Sequence, residues 1–310
     1  MNQTLLKHVR TLGFGLAFLC GIATSALAAD PLVDVAWVKA NAGKDGVVFI
    51  DFQPASDFLR GHIPGAVNSN YGKDGWREER SDKVPDMLPA SFDKLADYIG
   101  KLGIDNNTHV VLVPPGANST DMGIGTRVYW TFKVLGHDNV SLLDGGMAAY
   151  ARDKANKLET GAAKPAAKTF KVNLRSDMIV TAEDVKKAKA ANVLLVDNRP
   201  EDQFVGINRH PKATASGTLA GARNLPNGWM TVNGMGEFRK KAELEKLYKV
   251  ANVPTSGEQI NFCNTGHWAS VGWFVSSELM GNKKAKVYDG SMVEWTMTKA
   301  GTLEQQIKLD

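Results

Sequence analysis

Cysteine is nearly absent from this chain: Cys20 and Cys263 are its two thiols in 310 residues. With Cys20 in a leader-like segment, Cys263 has no partner in the mature chain. That excludes an internal disulfide and a dithiol redox pair. Metal-ligand spacing is missing as well. His62, His109, His137, His210 and His267 are scattered, so no metal site is expected. No basic tract stands out, which argues against nucleic acid as a partner. Beyond residue 29 no apolar run is long enough to span a bilayer, so no membrane association is expected once the leader is removed.

Residues 1–28 read as a signal peptide. Lys7 and Arg10 give the positive flank, Leu12 to Ile22 the apolar core, and Ala26-Leu27-Ala28 the cleavage signal. The mature chain then begins near Ala29, and a periplasmic location is expected. An uncleaved anchor is the alternative. Without Lys7 and Arg10 the chain keeps 35 basic and 33 acidic residues, a near balance. A mature length of about 280 residues suits two domains.

The second half repeats the first. Val47-Val48-Phe49-Ile50-Asp51 matches Val193-Leu194-Leu195-Val196-Asp197 at an offset of 146. Gly65-Ala66-Val67-Asn68 matches Gly221-Ala222-Arg223-Asn224. Leu143-Asp144-Gly145-Gly146-Met147 matches Tyr288-Asp289-Gly290-Ser291-Met292 at an offset of 145. Matches in order at nearly one offset indicate duplication of a whole domain. In each half, β-branched apolar runs alternate with segments of helical spacing. This predicts an α/β fold with a mainly parallel sheet flanked by helices. Helices are expected over 92–102, 125–135, 242–250 and 269–280, and Asp34 and Thr181 as helix caps. The boundaries expected are 30–150 for domain 1, 151–170 for an alanine-rich linker, and 171–310 for domain 2.

Cys263 directly follows the strand-like run 260–262, at a strand end where α/β sheets bind ligands. The residues after it, Asn264-Thr265-Gly266-His267, lead into a helix starting near Trp268 or Ala269. Backbone N–H groups would then converge on the sulfur, stabilise an anion and lower the thiol pKa. Gly266 supplies the turn, and Asn264 and Thr265 supply donors. His267 offers a proton or a charge, or else packs with Trp268 at a domain interface. Ala269 stands where a cysteine phosphatase of the Cys-x5-Arg kind has its arginine, which disfavours that chemistry.

These segments together resemble a tandem-domain sulfurtransferase of the rhodanese family, over nearly all of the mature chain. Gly61-His62-Ile63-Pro64-Gly65-Ala66-Val67-Asn68 resembles the family's first signature, and Tyr288-Asp289-Gly290-Ser291-Met292-Val293-Glu294-Trp295 its C-terminal one. Cys263-Asn264-Thr265-Gly266-His267 resembles the active loop, and Arg199 completes an Asp-x-Arg with Asp197 and Asn198.

The resemblance implies two rhodanese-like domains and a Cys263 persulfide, with Asn264, Thr265, Gly266, His267, Trp268 and Arg199 as substrate-binding residues. It implies no metal or organic cofactor. The partners implied are a small anionic sulfur donor, thiosulfate or 3-mercaptopyruvate, and a thiophilic acceptor such as cyanide or a thiol. Thiosulfate is the leading donor, and a low-turnover sulfur carrier is a further reading. Domain 1 resembles the family's inactive half, since Pro114-Pro115-Gly116 stands where the cysteine loop would be. It would form one wall of the cleft, or only stabilise the chain. Neutral Asn264 and Thr265 leave positive charge for an anionic donor to Arg199, Arg209, His210 and Arg223.

Overall fold

The computed structural model describes residues 29–309, so the signal-peptide reading and Cys20 lie outside the described residues. Domain 1 contains β1 (Leu32–Val33), α1 (Val35–Asn41), β2 (Val47–Asp51), α2 (Ala55–Arg60) and β3 (Val67–Asn68). These are followed by α3 (Asp93–Lys101), β4 (His109–Val113), α4 (Ser119–Val134), β5 (Val140–Leu143) and α5 (Gly146–Arg152). Its sheet runs β1-β5-β4-β2-β3, every pair parallel.

Domain 2 repeats the pattern. It contains β6 (Ile179–Val180), α6 (Ala182–Ala190), β7 (Leu194–Asp197), α7 (Glu201–Phe204), β8 (Thr218–Leu219) and β9 (Arg223–Asn224). Then come α8 (Lys241–Val250), β10 (Gln259–Phe262), α9 (His267–Trp273), β11 (Ala285–Tyr288), α10 (Ser291–Met297) and β12 (Leu303–Glu304). The five-stranded sheet runs β6-β11-β10-β7-β9, again parallel, and β12 pairs antiparallel with β8. The expected α/β class and duplication are thus both present.

Local chemistry explains the elements. Strands β4 and β10 are buried almost throughout, as strands covered by helices on both faces must be. Asp34 accepts from Trp37 N–H at 2.7 Å to cap α1. Thr181 and Asp184 form a reciprocal capping box on α6. The duplication extends to single hydrogen bonds. Asn68 Nδ2 donates to the carbonyls of Asp51 and Gln53, and Asn224 Nδ2 to those of Asp197 and Arg199.

Two expected helices are longer or less regular than their spacing indicated. Helix α4 starts six residues before 125, because Asn118 accepts from Asp121 N–H and fixes the entry. Helix α9 starts at His267 and widens to a π-helical turn at Phe274–Leu279. The linker is more than a spacer. Glu159 pairs with the backbone of His62, Lys168 N–H donates to Gly100 O, and Phe170 is buried, so the segment is a strap along domain 1.

The domains share one apolar core. Trp130, Phe132 and Tyr129 of α4 belong to the same buried cluster as Val271, Trp273 and Phe274. Helices α4 and α9 cross in the middle of it, where Thr126 Oγ1 and Ser270 Oγ meet at 2.8 Å. This crossing brings α4 against the loop that follows β10.

Candidate active site

Strand β10 ends at Phe262, and Gly266, at φ +74°, turns the chain into α9. An L-residue is disfavoured there on backbone grounds alone. A side chain at 266 would also strike Arg127 Nη1 and the Asp289 carbonyl, at 2.2 and 2.7 Å from a Cβ. The turn is fastened from below by the start of α10. Met292 N–H donates to Cys263 O at 3.1 Å and Val293 N–H to Asn264 O at 3.0 Å. Ser291 Oγ accepts from both Cys263 N–H (3.0 Å) and Gly266 N–H (3.2 Å) and donates to Tyr288 O (2.8 Å).

The same fastening holds in domain 1: Met147 N–H donates to Pro114 O and Ala148 N–H to Pro115 O. Pro114 therefore stands in the place of Cys263. It has no N–H to donate, and Gly146, at the position of Ser291, has no hydroxyl to receive one.

Cys263 is the free thiol among the described residues, and it is buried. Burial pushes its pKa up, while the backbone N–H groups of Ala269, Thr265, Trp268 and Asn264 bond to the sulfur and pull it down. Burial wins, contrary to the lowering expected from the loop. The convergent N–H groups are present, but burial costs the sulfur anion more than they return.

The sulfur is at the floor of a cleft of about 350 Å³ between the domains. Domain 2 lines it with Asn264, Thr265, His267, Trp268 and His210, and domain 1 with Tyr71, Arg77, Asp86, Thr120, Asp121 and Ile124. A larger hollow, about 600 Å³, opens beside Gln259 and Lys286 but contains no cysteine. Asn264 is held by Gln203, whose Oε1 accepts from its Nδ2 at 2.9 Å.

His267 and Trp268 are interface residues. His267 Nε2 lies 2.8 Å from Thr120 O and Trp268 Nε1 donates to Thr120 Oγ1 at 3.0 Å. Gly123 leaves the room that the imidazole fills, since a Cβ there would meet Nε2 at 2.5 Å. Burial drives the His267 pKa down to about 4, so the ring is neutral at pH 7 and supplies no cation.

Arg199 does not reach the cleft. Its guanidinium is buried on both oxygens of Asp197 and on Gly217 O at 2.8 Å. Gln53 caps Asp51 in the same way in domain 1, which marks the pair as scaffold. Arg209 and Arg223 also point elsewhere, toward Ser216 and Asn252 O. Arg77 is the arginine that lines the cleft. It stacks 4.5 Å over Tyr71 and pairs with Asp86 at 2.9 Å.

A family profile for the rhodanese-like domain matches residues 34–153 and again residues 181–298. The chain belongs to the rhodanese family. It is a sulfurtransferase built of two such domains. A provisionally named thiosulfate sulfurtransferase of Saccharopolyspora erythraea is 32% identical over 276 residues, 86% of this chain and 93% of that protein. Human 3-mercaptopyruvate sulfurtransferase is 29% identical over 275 residues, 86% of this chain and 84% of the human one. The crystal structure of SseA from Escherichia coli, a 3-mercaptopyruvate sulfotransferase of the rhodanese fold, superposes with a TM-score of 0.73. It is 24% identical and covers 85% of this chain and 99% of its own.

The rhodanese domain 1 thus contributes half the lining of the cleft, the wall that the resemblance implied, though not the residues that form it. Two further residues went unread. Ser291 stood in a recognised signature, and its replacement by Gly146 in the other half was a usable signal. Arg127 stood as a charge among the apolar residues of 125–135, six residues before Lys133, and a buried charge needs a partner. Among the described residues no cluster is suited to a metal, and no helix is long and apolar enough to cross a membrane.

Proposed function

We propose that Cys263 is the nucleophile of a thiosulfate sulfurtransferase. The single observation that carries this is its sulfur at the floor of the interdomain cleft, ringed by the N–H groups of Asn264, Thr265, Trp268 and Ala269. Such a ring suits a terminal sulfur anion better than a resting thiolate, because a persulfide is the more acidic of the two. The Cys263 thiolate attacks the outer sulfur of thiosulfate, the S–S bond of the donor breaks, and sulfite leaves with the bonding pair. The Cys263 persulfide then gives its outer sulfur to cyanide or a thiolate, which restores the thiolate. Arg77 at the mouth offers the donor a charge, and Asn264 and Thr265 shape the floor.

Thiosulfate is favoured over 3-mercaptopyruvate by the leaving group. Sulfite departs as a stable anion. Pyruvate departs as an enolate that must take a proton, and His267 is neutral and held at Thr120 O. The relatives at similar identity carry both names, so the ratio of kcat/KM for the two donors decides. Purified enzyme with thiosulfate and cyanide should yield thiocyanate, and Cys263→Ser should yield none. Turnover by that variant would sink the mechanism. Intact mass after thiosulfate treatment should show one added sulfur on Cys263. That adduct with negligible turnover would instead favour a sulfur carrier. Export to the periplasm, with residues 1–28 removed, is part of the proposal and is tested by fractionating cells and sequencing the mature N-terminus.

A further inference from the structure

We propose that Arg127, carried by the domain without a thiol, is an electrostatic positioning residue for Cys263: its guanidinium lies under the Cys263–Gly266 turn and favours the sulfur anion there. Helix α4 is buried on nearly every face, and Arg127 is fully buried within it. Its Nη1 fills the space against the Gly266 backbone, three residues from Cys263. Its Nη2 pairs with Asp289 Oδ1, and Asp289 Oδ2 accepts Leu88 N–H at 2.7 Å. Nε and Nη1 are buried with no hydrogen-bond partner.

A cation kept out of water with two idle donors is costly unless a negative charge arises beside it. Arg127 and the Cys263 sulfur are close enough to interact electrostatically, and the loop itself contributes no cation. Arg127 is also the cation that opposes the effect of burial on Asp289 and favours its charged carboxylate. The other groups facing the site are Tyr71, Arg77, Asp86, His267, His210 and Asp121 around the cleft, with Glu294, paired to Arg80, below. Arg77 is partly exposed and paired with Asp86, and so is the weaker influence on the sulfur. Domain 1 then acts as the donor of the site's buried cation.

The proposal rests on Cys263 carrying the sulfur, but its test does not need turnover. The pH dependence of iodoacetamide alkylation at Cys263 is measured in the mature chain and its variants. Arg127→Met alone strands Asp289, so the double variant R127M/D289N is used, with melting curves as a control of folding. Its alkylation midpoint should rise by about one pH unit, and persulfide formation from thiosulfate should slow about tenfold. Asp289→Asn alone should lower the midpoint. Arg127→Lys should keep it near that of the wild type. A folded double variant with an unchanged midpoint, or a lysine variant no better than methionine, overturns the proposal. If no persulfide forms even in the wild type, the sulfurtransferase mechanism through Cys263 fails, and the alkylation midpoints still report on Arg127.

Discussion

The backbone N–H of Cys263 donates to the Ser291 hydroxyl at 3.0 Å, and Gly266 N–H donates to the same oxygen at 3.2 Å. One side chain thereby satisfies two buried donors at both ends of the turn that carries the sulfur. Removing it leaves both unpaired. Ser291→Ala should cost about 1–3 kcal/mol of stability and lower kcat/KM for the donor about tenfold. Melting curves and steady-state kinetics check this. Loss of stability with full kcat/KM would show that the turn keeps its shape without the hydroxyl.

Arg199 and Arg77 should separate cleanly. Arg199→Met leaves Asp197 buried with its charge unpaired, and an effect of about 3–5 kcal/mol on unfolding is expected. Donor KM should change little in whatever protein remains folded. Arg77→Gln should do the reverse, raising KM for thiosulfate about tenfold with a small change in melting. If Arg199→Met raised KM and left stability intact, its placement as scaffold would be wrong.

The free enzyme's thiol should titrate high. Burial outweighs the four backbone N–H groups at Cys263, so its alkylation midpoint should lie above the ordinary thiol value of about 8.5. A midpoint below that value would mean that the N–H groups dominate.

His267 should contribute to acid instability. Its pKa is pushed down to about 4 in the folded protein, from an ordinary 6.5. As pH falls through 6.5 the unfolded chain takes up the proton first, so folded stability drains away between that pH and about 4. His267→Gln should therefore lose less melting temperature than the wild type between pH 7 and 5. Equal losses in the two proteins would place a charged imidazole in the fold.

Much of this molecule is written locally. The apolar runs ending in Asp51 and Asp197, the cap at Thr181 and the repeated Gly-Ala-x-Asn segments specify strands, a helix start and two copies of one sheet. The turn Cys263–Gly266 is also local, because a strand end followed by glycine admits few paths. The role of Arg199 was not legible. Its motif reads as a cation near a strand end, and only the fold shows Asp197 and Gly217 O consuming it.

The sequence by itself determined the duplicated α/β scaffold, the thiol at a strand end and the loop that presents it. Short-range hydrophobic patterning and glycine placement set these without reference to the rest of the chain. The tertiary structure alone decided what surrounds the sulfur. The crossing of α4 over α9 brings Thr120, Gly123 and Arg127 to a loop more than a hundred residues away. Burial and Coulomb interaction depend on distance in space, so the neutral state of His267 and the elevated thiol pKa follow from packing that local patterning does not contain.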